Sequence, residues 1–159
     1  MEFIPTKTIL QRASHSEEWF GIDYNMNLYK GCCHKCIYCD SRSNCYQVED
    51  FDRVRAKQNE IEILNQELKS KRRRGVIGIG AMSDTYNPFE KEYQITRKAL
   101  KLISYYNFGI SIETKSDLIV RDIDLFKEIN SKSDLILKFT ITTADDSLSK
   151  IIEQGVCVS

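Results

Sequence analysis

The stretch "PFEKEYQITRKALKLISYYNFGISIETK", residues 88–115, decides the fold. Apolar side chains recur at helical spacing in its first part, which predicts one amphipathic helix over residues 88–106. They are Ile95, Ala99, Leu102 and Ile103. The last part, "FGISIETK", alternates apolar and polar residues and predicts a short strand. A helix that leads directly into a strand is the repeating unit of a parallel α/β sheet.

The same unit recurs on both sides of this stretch. Upstream, "NEIEILNQELKSKRRRG" predicts a helix that ends at Gly75, and "GVIGIGA" predicts a buried strand. Downstream, "VRDIDLFKEIN" predicts a helix with Ile123, Phe126 and Ile129 facing inward, followed by the strand "DLILKFTITT". We therefore expect an α/β fold of parallel βαβ units in a single domain, residues 1–159.

The strands alternate in a way that bears on what the sheet encloses. In "ISIETK" the isoleucines share one face, and the serine, glutamate and lysine share the other. In "LKFTITT", Phe139 and Ile141 are predicted to pack on helices, with the lysine and threonines on the opposite face. A sheet covered by helices on both sides is apolar on both faces, so this pattern favours a ligand-filled barrel or partial barrel. A solvated open sheet face is the alternative.

Polar and thiol side chains collect where the predicted strands end. A cysteine-rich segment follows "MNLYKG", Ser83 and Asp84 follow "GIGAM", Thr114 and Lys115 follow "SIE", and Thr142 and Thr143 follow "KFTI". Ligands of parallel α/β folds bind at the carboxyl ends of strands. We therefore expect these side chains to meet at one rim.

Composition narrows the kind of chemistry. Lys plus Arg and Asp plus Glu both number 23, so global charge does not argue for a nucleic-acid or membrane partner. No stretch approaches the roughly 20 apolar residues of a membrane span, and the first residues show no leader pattern. We expect a cytoplasmic protein, in which clustered cysteines favour metal or redox chemistry over disulfides.

The segment "NLYKGCCHKCIYCDSR", residues 27–42, holds four of the six cysteines. Two registers are open, Cys32 or Cys33 together with Cys36 and Cys39, with Cys45 as a further candidate ligand. A structural zinc site needs four ligands, commonly in two pairs, and the second pair is missing here. A lone Cys-x-x-Cys redox pair leaves the earlier cysteine unexplained. Three thiols without an obvious fourth suit an iron–sulfur cluster with one iron left open.

The same segment resembles the CxxxCxxC signature of radical S-adenosylmethionine (SAM) enzymes. The likeness extends over nearly the whole chain from Lys7, and the chain is similar to the spore photoproduct lyase-like group of these enzymes. It is carried by "WFGIDYNMNLYKGC", "CIYCDSRS", "GAMSDTYNPFEKEYQITRKAL", "ETKSDLIVRDIDLFKEI" and "FTITTADDSLSKIIE". The resemblance implies about the N-terminal two thirds of a partial (β/α)6 barrel. Residues 1–26 would be a lead-in and residues 27–45 the cluster-binding loop.

By this resemblance, Cys32, Cys36 and Cys39 would ligate a [4Fe-4S] cluster. S-adenosyl-L-methionine would chelate the fourth iron and be cleaved reductively to a 5′-deoxyadenosyl radical, with electrons from a reductant such as flavodoxin or ferredoxin. A nucleic-acid substrate would follow from family analogy alone.

Further positions would contact the SAM cofactor. Tyr38 matches the aromatic position beside the adenine, and Ser83 and Asp84 match a cofactor-contacting segment. Lys115 matches the lysine that binds the cofactor's carboxylate. Thr140 matches a cofactor-binding hydroxyl, and Thr142 shares its face.

The sequence also departs from the lyase pattern. Ala81 stands where the lyase has its hydrogen-donating cysteine, and Asp40 stands where it has a tyrosine after the third cysteine. Repair of thymine dimers is therefore not implied. The chain ends after about four strands, so we expect a truncated barrel whose open edge invites self-association.

Overall fold

The computed structural model describes residues 1–17 and 21–156. Trp19 and Phe20, which belong to one of the segments that carry the family resemblance, lie outside these residues, as does Cys157. No helix within the described ranges is long and apolar enough to cross a membrane.

Eight strands and five α-helices follow one another along the described chain. They are β1 (Glu2–Ile4), β2 (Leu10–Glu17), β3 (Ile22–Met26), β4 (Tyr29–Lys30), β5 (Arg55–Lys57), α1 (Glu60–Ser70), β6 (Val76–Ile79), α2 (Glu90–Tyr93), α3 (Ile95–Tyr105), β7 (Gly109–Thr114), α4 (Ile123–Asn130), β8 (Leu135–Phe139) and α5 (Asp146–Ile152). Short 3-10 helices cover Asp40–Arg42, Asn44–Tyr46 and Asp117–Asp122.

The main sheet has five strands in the order β2-β3-β6-β7-β8. Strands β3, β6, β7 and β8 are parallel to one another, and β2 is antiparallel to β3. A second sheet has the order β1-β5-β4. The predicted α/β fold with parallel βαβ units is confirmed. The main sheet is open and does not close into a barrel, since β8 forms one of its edges.

The hydrophobic core lies between the middle strands and the helices. Ile110 and Ile112 of β7 are fully buried, as the alternation in this strand predicts. Leu64 and Leu68, four residues apart on α1, are also fully buried, because positions i and i+4 share one face of a helix. Each such side chain contributes about 1.5–3 kcal/mol on burial.

The prediction of a single helix over residues 88–106 is wrong in one respect, because the structure has two helices there, α2 and α3. Gln94 separates α2 from α3 with φ 51°, a left-handed conformation that interrupts the helix. The side chain of Glu90 reaches forward along the chain and accepts a hydrogen bond from the backbone N–H of Thr96 at 2.7 Å. This bond satisfies one of the free donors at the start of α3 and so compensates for the break.

The inward placement of Ile123 is also wrong. It is the first residue of α4 and 53% exposed, whereas Phe126 and Ile129 are buried as predicted. Ile123 directly follows the 3-10 helix Asp117–Asp122, and at this junction its side chain lies toward solvent.

Two expectations for the strands need correction. "MNLYKG" is not one strand of the main sheet: β3 ends at Met26, and the residues before the cysteines form β4 in the second sheet, paired with β5. Phe139 and Ile141 do not pack on helices and are 55% and 83% exposed. Phe139 is the last residue of β8 and Ile141 lies beyond it, where the described helices do not cover this face of the edge strand.

Candidate functional site

The carboxyl ends of β6 and β7 meet through Asp84. Its carboxylate accepts hydrogen bonds from Thr114 Oγ1 at 2.7 Å and from the backbone N–H of Lys115 at 2.8 Å. The backbone N–H of Tyr86 donates to it at 2.9 Å. The predicted convergence of these strand ends at one rim is confirmed. Because Asp84 is buried and has several donors, it ties the loop after β6 to the end of β7.

Gly80 allows this loop to turn toward the rim. It has φ 100°, and a Cβ atom at this position would overlap the carbonyl oxygen of Glu113 on β7. A residue with a side chain is excluded there by both the backbone angle and the close approach.

A second polar group lies beside the cysteine-rich loop, and we call it the Lys115 cluster: Tyr38, Lys115, Thr142 and Glu153. Lys115 Nζ donates to the Tyr38 hydroxyl oxygen at 2.8 Å and lies 3.0 Å from the Glu153 carboxylate. Thr142 Oγ1 donates to the same carboxylate at 2.6 Å, and the Tyr38 hydroxyl donates to it as well. The cluster joins the cysteine-rich loop to the ends of β7 and β8.

Within the Lys115 cluster, Lys115 and Glu153 form an ion pair in which both side chains are charged. Burial lowers the pKa of Lys115, but hydrogen bonds with Tyr38 and Glu153 outweigh this and hold the pKa above its ordinary value. Burial likewise raises the pKa of Glu153, and the hydrogen bonds from Thr142, Tyr38 and Lys115 hold it below its usual range. Tyr38 is 50% exposed, so the cluster opens to solvent along its ring. Lys115 Nζ lies 5.3 Å from the centroid of that ring.

Two other predicted site residues lie at the rim without joining this cluster. Ser83 is buried, and its hydroxyl reaches the carbonyl oxygen of Tyr29 at the long distance of 3.5 Å. Thr140 is exposed, and its backbone N–H donates to the carbonyl oxygen of Thr114 at 3.1 Å.

The cysteines of the loop are free thiols. Cys36 is buried, and Cys32 and Cys39 are partly buried. Burial raises the pKa of both Cys32 and Cys36; the nearby charge of Cys39 adds to the rise at Cys32, and Lys115 opposes the rise at Cys36. The charge of Cys32 also contributes to the raised pKa of Cys36 and to that of Cys33.

Cys33 has different surroundings. Its side chain packs against the hydrophobic core, and burial raises its pKa to about 11. No three His, Cys, Asp or Glu side chains within residues 1–17 and 21–156 are gathered as ligands of a single metal ion.

Glu153 and His34 are site residues that the sequence did not reveal. Glu153 follows α5 in "IIEQG", where no periodic signal marks it. His34 is buried, with Nδ1 3.6 Å from Asp84 Oδ2. Burial lowers the pKa of His34, although the Asp84 charge acts in the opposite direction.

The fold and site define an α/β protein that carries Asp84 and Lys115 at the carboxyl ends of parallel strands, beside a thiol-rich loop. The chain belongs to the radical SAM superfamily, whose family model matches residues 26–158. The predicted membership of this superfamily is confirmed.

Two relatives share most of this chain. An uncharacterized protein of Methanocaldococcus jannaschii is 38% identical over 136 residues, which cover 84% of this chain and 49% of that protein. An uncharacterized protein of Mycobacterium tuberculosis is 28% identical over 139 residues, which cover 83% of this chain and 41% of that protein. The chain thus spans about half the length of these relatives.

The fold also matches a solved structure, spore photoproduct lyase complexed with dinucleoside spore photoproduct. The TM-score is 0.63 over 98% of this chain and 43% of that chain, at 16% identity. At this identity the likeness shows the fold, and it confirms the predicted fold class of a partial radical SAM barrel.

Proposed function

We propose that the chain is the cofactor-binding part of a radical SAM enzyme. Cys32, Cys36 and Cys39 would hold a [4Fe-4S] cluster, and the rim beside them would bind S-adenosyl-L-methionine. The observation that carries this proposal is the presence of three free thiols, Cys32, Cys36 and Cys39, in the loop whose Tyr38 contacts Lys115, in a chain of this superfamily. Iron–sulfur clusters are normally held by cysteine thiolates, so the donor set fits the group.

The environment of the cysteines supports the register that starts at Cys32. Among the described residues, the Cys33 side chain packs on the hydrophobic core, whereas those of Cys32, Cys36 and Cys39 do not belong to it. Cys33 would have to leave the core to act as a ligand, which would cost part of its burial energy.

When bound and reduced, the cluster would supply the electron that cleaves the sulfonium of S-adenosyl-L-methionine to methionine and a 5′-deoxyadenosyl radical. Lys115 would bind the cofactor's carboxylate. Its ammonium group carries three donors, and its partners in the described chain are two, Tyr38 and Glu153. The exposed ring of Tyr38 would pack against the adenine.

We propose more specific roles for the remaining rim residues. The carboxylate of Asp84 already has several donors, so its proposed role is to shape the cofactor-contacting segment that it shares with Ser83. Thr140 is exposed and would offer its hydroxyl to the cofactor. Thr142 would act through Glu153, to which it donates.

We further infer that the whole protein is an enzyme of the cytoplasm that is reduced by a flavodoxin or ferredoxin. Its substrate would be bound largely by the half of the relatives' length that this chain does not span. A nucleic-acid substrate is proposed by analogy alone, with a structurally similar lyase that is complexed with a dinucleoside spore photoproduct. We do not extend dimer repair to this chain, because Ala81 and Asp40 replace the lyase's two relay groups. The exposed edge at β8 would suit self-association.

Anaerobic reconstitution tests the proposal. Protein loaded with iron and sulfide should contain about four irons per chain. Dithionite and S-adenosyl-L-methionine should then release 5′-deoxyadenosine, and Lys115→Ala should reduce this release at low cofactor concentration. Zinc at one equivalent with neither iron nor sulfide in anaerobically purified protein would overturn the proposal and favour a zinc-binding cysteine module. A stable cluster without any cleavage would favour an inactive cluster-binding fragment.

A further inference from the structure

The turn that follows α5 runs antiparallel alongside the cysteine-rich loop. The backbone N–H of Ile37 donates to the carbonyl oxygen of Ile152 at 2.9 Å, and that of Gly155 donates to the carbonyl oxygen of His34 at 2.8 Å. Between these two bonds, Cys36 and Glu153 form an antiparallel β-bridge. We call residues 152–155 the clasp, because they hold the segment of the loop that carries a proposed cluster ligand.

Gly155 is needed for this close approach. A Cβ atom at Gly155 would overlap the carbonyl oxygen of Cys33 and lie 2.9 Å from His34 Cα. Both contacts are with backbone, which has little freedom to move away. The clasp and the loop therefore touch main chain to main chain, and a side chain at position 155 would push them apart.

The clasp is the main tether of residues 34–38. Within the described chain, every main-chain hydrogen bond that links these residues to another segment goes to residues 152–155. The nearest other anchor is the bond from the backbone N–H of Cys32 to the carbonyl oxygen of Phe51, at 2.8 Å. Without the clasp, the main chain around Cys36 would have no hydrogen bond to another described segment, and side chains such as Tyr38 alone would hold it.

Glu153 joins this tether to the Lys115 cluster. Its side chain is 4% exposed, and one carboxylate oxygen receives hydrogen bonds from Tyr38, Lys115 and Thr142. The donors come from the loop, the end of β7 and the segment after β8. A buried carboxylate with three donors has a fixed orientation, and it fixes the orientation of its donors in turn.

We propose that Glu153 is a positioning residue of the cofactor site. Its carboxylate holds Lys115 and Tyr38 in the orientation that a SAM molecule needs, and its backbone holds the loop around Cys36. The proposal rests on the proposed function for the identity of the ligand. The ordering of the loop can be measured without any ligand.

The first experiment measures hydrogen exchange in the cluster-free protein. In Glu153→Ala, the amides of Ile37 and Gly155 should exchange about tenfold faster, the scale of one lost hydrogen bond to a charged group. Glu153→Gln keeps an oxygen acceptor for Tyr38 and Thr142 and should remain within about threefold of the wild type. The matched control is Glu128→Ala, which removes an exposed glutamate paired with Lys132 on α4 and should leave these amides unchanged.

Equal exchange in Glu153→Ala and Glu128→Ala would overturn the proposal. So would a uniform loss of protection over β6 and β7, which would mean a purely structural role. If Glu153→Ala does not fold, Gly155→Ala serves in its place, because it opens the clasp and keeps the carboxylate. It should speed exchange at Ile37, and wild-type rates would contradict the proposal.

The second experiment measures binding of S-adenosyl-L-methionine to the reconstituted protein by calorimetry. Glu153→Ala should raise the Kd about tenfold with unchanged iron content, Glu153→Gln should restore most of the affinity, and Glu128→Ala should match the wild type. An unchanged Kd in Glu153→Ala would contradict the positioning role. A wild-type protein that binds no cofactor would contradict the proposed function instead, and the exchange data would still report on the clasp.

Discussion

Two ionic clusters include residues of the segment that follows β7, and they differ in how far they are exposed to solvent. One is the Lys115 cluster. The other, which we call the Arg121 cluster, consists of Glu90, Arg97, Arg121 and Asp122. In the Arg121 cluster, Asp122 and Glu90 are 0% exposed. In the Lys115 cluster, Glu153 is buried but Tyr38 is 50% exposed.

The carboxylates of the Arg121 cluster are fully engaged. Asp122 receives Arg97 Nη1 at 2.8 Å, Arg121 Nη2 at 2.8 Å and the Tyr86 hydroxyl at 3.0 Å. Glu90 receives Arg121 Nη2 at 3.0 Å as well as the bond from Thr96. These contacts link α2, α3 and the 3-10 helix before α4.

The two clusters differ in whether a ligand could reach their charges. The carboxylates of the Arg121 cluster are buried and paired with arginines, which fits a structural role. The Lys115 cluster pairs one lysine with one carboxylate and opens to solvent through Tyr38, so a further anionic group can be accommodated.

The largest effect is expected for Asp122→Ala. It leaves two arginines and Tyr86 without their shared acceptor, and removal of one partner from a buried ion pair costs about 3–5 kcal/mol. The free energy of unfolding from urea titration should fall by about this amount. Asp124→Ala, which removes the exposed partner of Arg97, should cost much less. Equal losses in both variants would show that burial does not distinguish the two carboxylates.

The next effect concerns Lys115→Ala. The Kd for S-adenosyl-L-methionine should rise at least about tenfold, because a hydrogen bond between charged groups contributes about 1.5–3 kcal/mol. The free energy of unfolding should change far less than in Asp122→Ala. Lys132→Ala, on the exposed pair of α4, is the matched control and should bind like the wild type. A Kd unchanged in Lys115→Ala would remove this lysine from the proposed site.

A smaller effect is expected in the pH dependence of stability. Burial raises the pKa of Asp122, but hydrogen bonds from Arg121 and Arg97 outweigh it and hold the pKa below its usual value of about 3.9. The stabilisation from this lowered pKa is therefore complete above about pH 4 and is lost as pH falls through the folded-state pKa. The difference in unfolding free energy between wild type and Asp122→Asn should shrink below about pH 4. A difference that stays constant from neutral to acidic pH would contradict this assignment.

The smallest effects on cofactor binding are expected for Thr140 and Thr142, and a second measurement distinguishes the roles of these two threonines. Thr142→Val removes one donor to Glu153 and should weaken cofactor binding about fivefold, the scale of about 1 kcal/mol for a hydrogen bond. Thr140→Val should weaken binding by a similar factor without altering exchange at Ile37, because Thr140 is expected to contact the cofactor directly. A faster Ile37 amide in Thr140→Val would show that this hydroxyl acts through the loop instead.

Local pattern was sufficient for the middle of the fold. Helical spacing and strand alternation located α3, β7 and the buried faces of both, and the rule for parallel strand ends brought Asp84, Thr114 and Lys115 together. These features depend on residues close in sequence or on a general property of parallel sheets.

The features that were missed depend on side-chain contacts that a hydrophobic pattern does not record. The break at Gln94 is compensated locally, by the side chain of Glu90 six positions before Thr96. The clasp brings Glu153 to Tyr38 across 115 positions. Phe139 fits the alternating pattern of a covered strand, but cover depends on what lies beyond β8. Periodicity carries no information about such long-range partners.

The central claim is that a cluster is held by the register that starts at Cys32. It is tested most directly by the iron and sulfide content of two matched variants, Cys32→Ala and Cys33→Ala, reconstituted without oxygen. We predict that Cys33→Ala retains about four irons per chain and that Cys32→Ala loses most of its iron and its visible absorption. The reverse result, or a full cluster in both variants, would contradict the account.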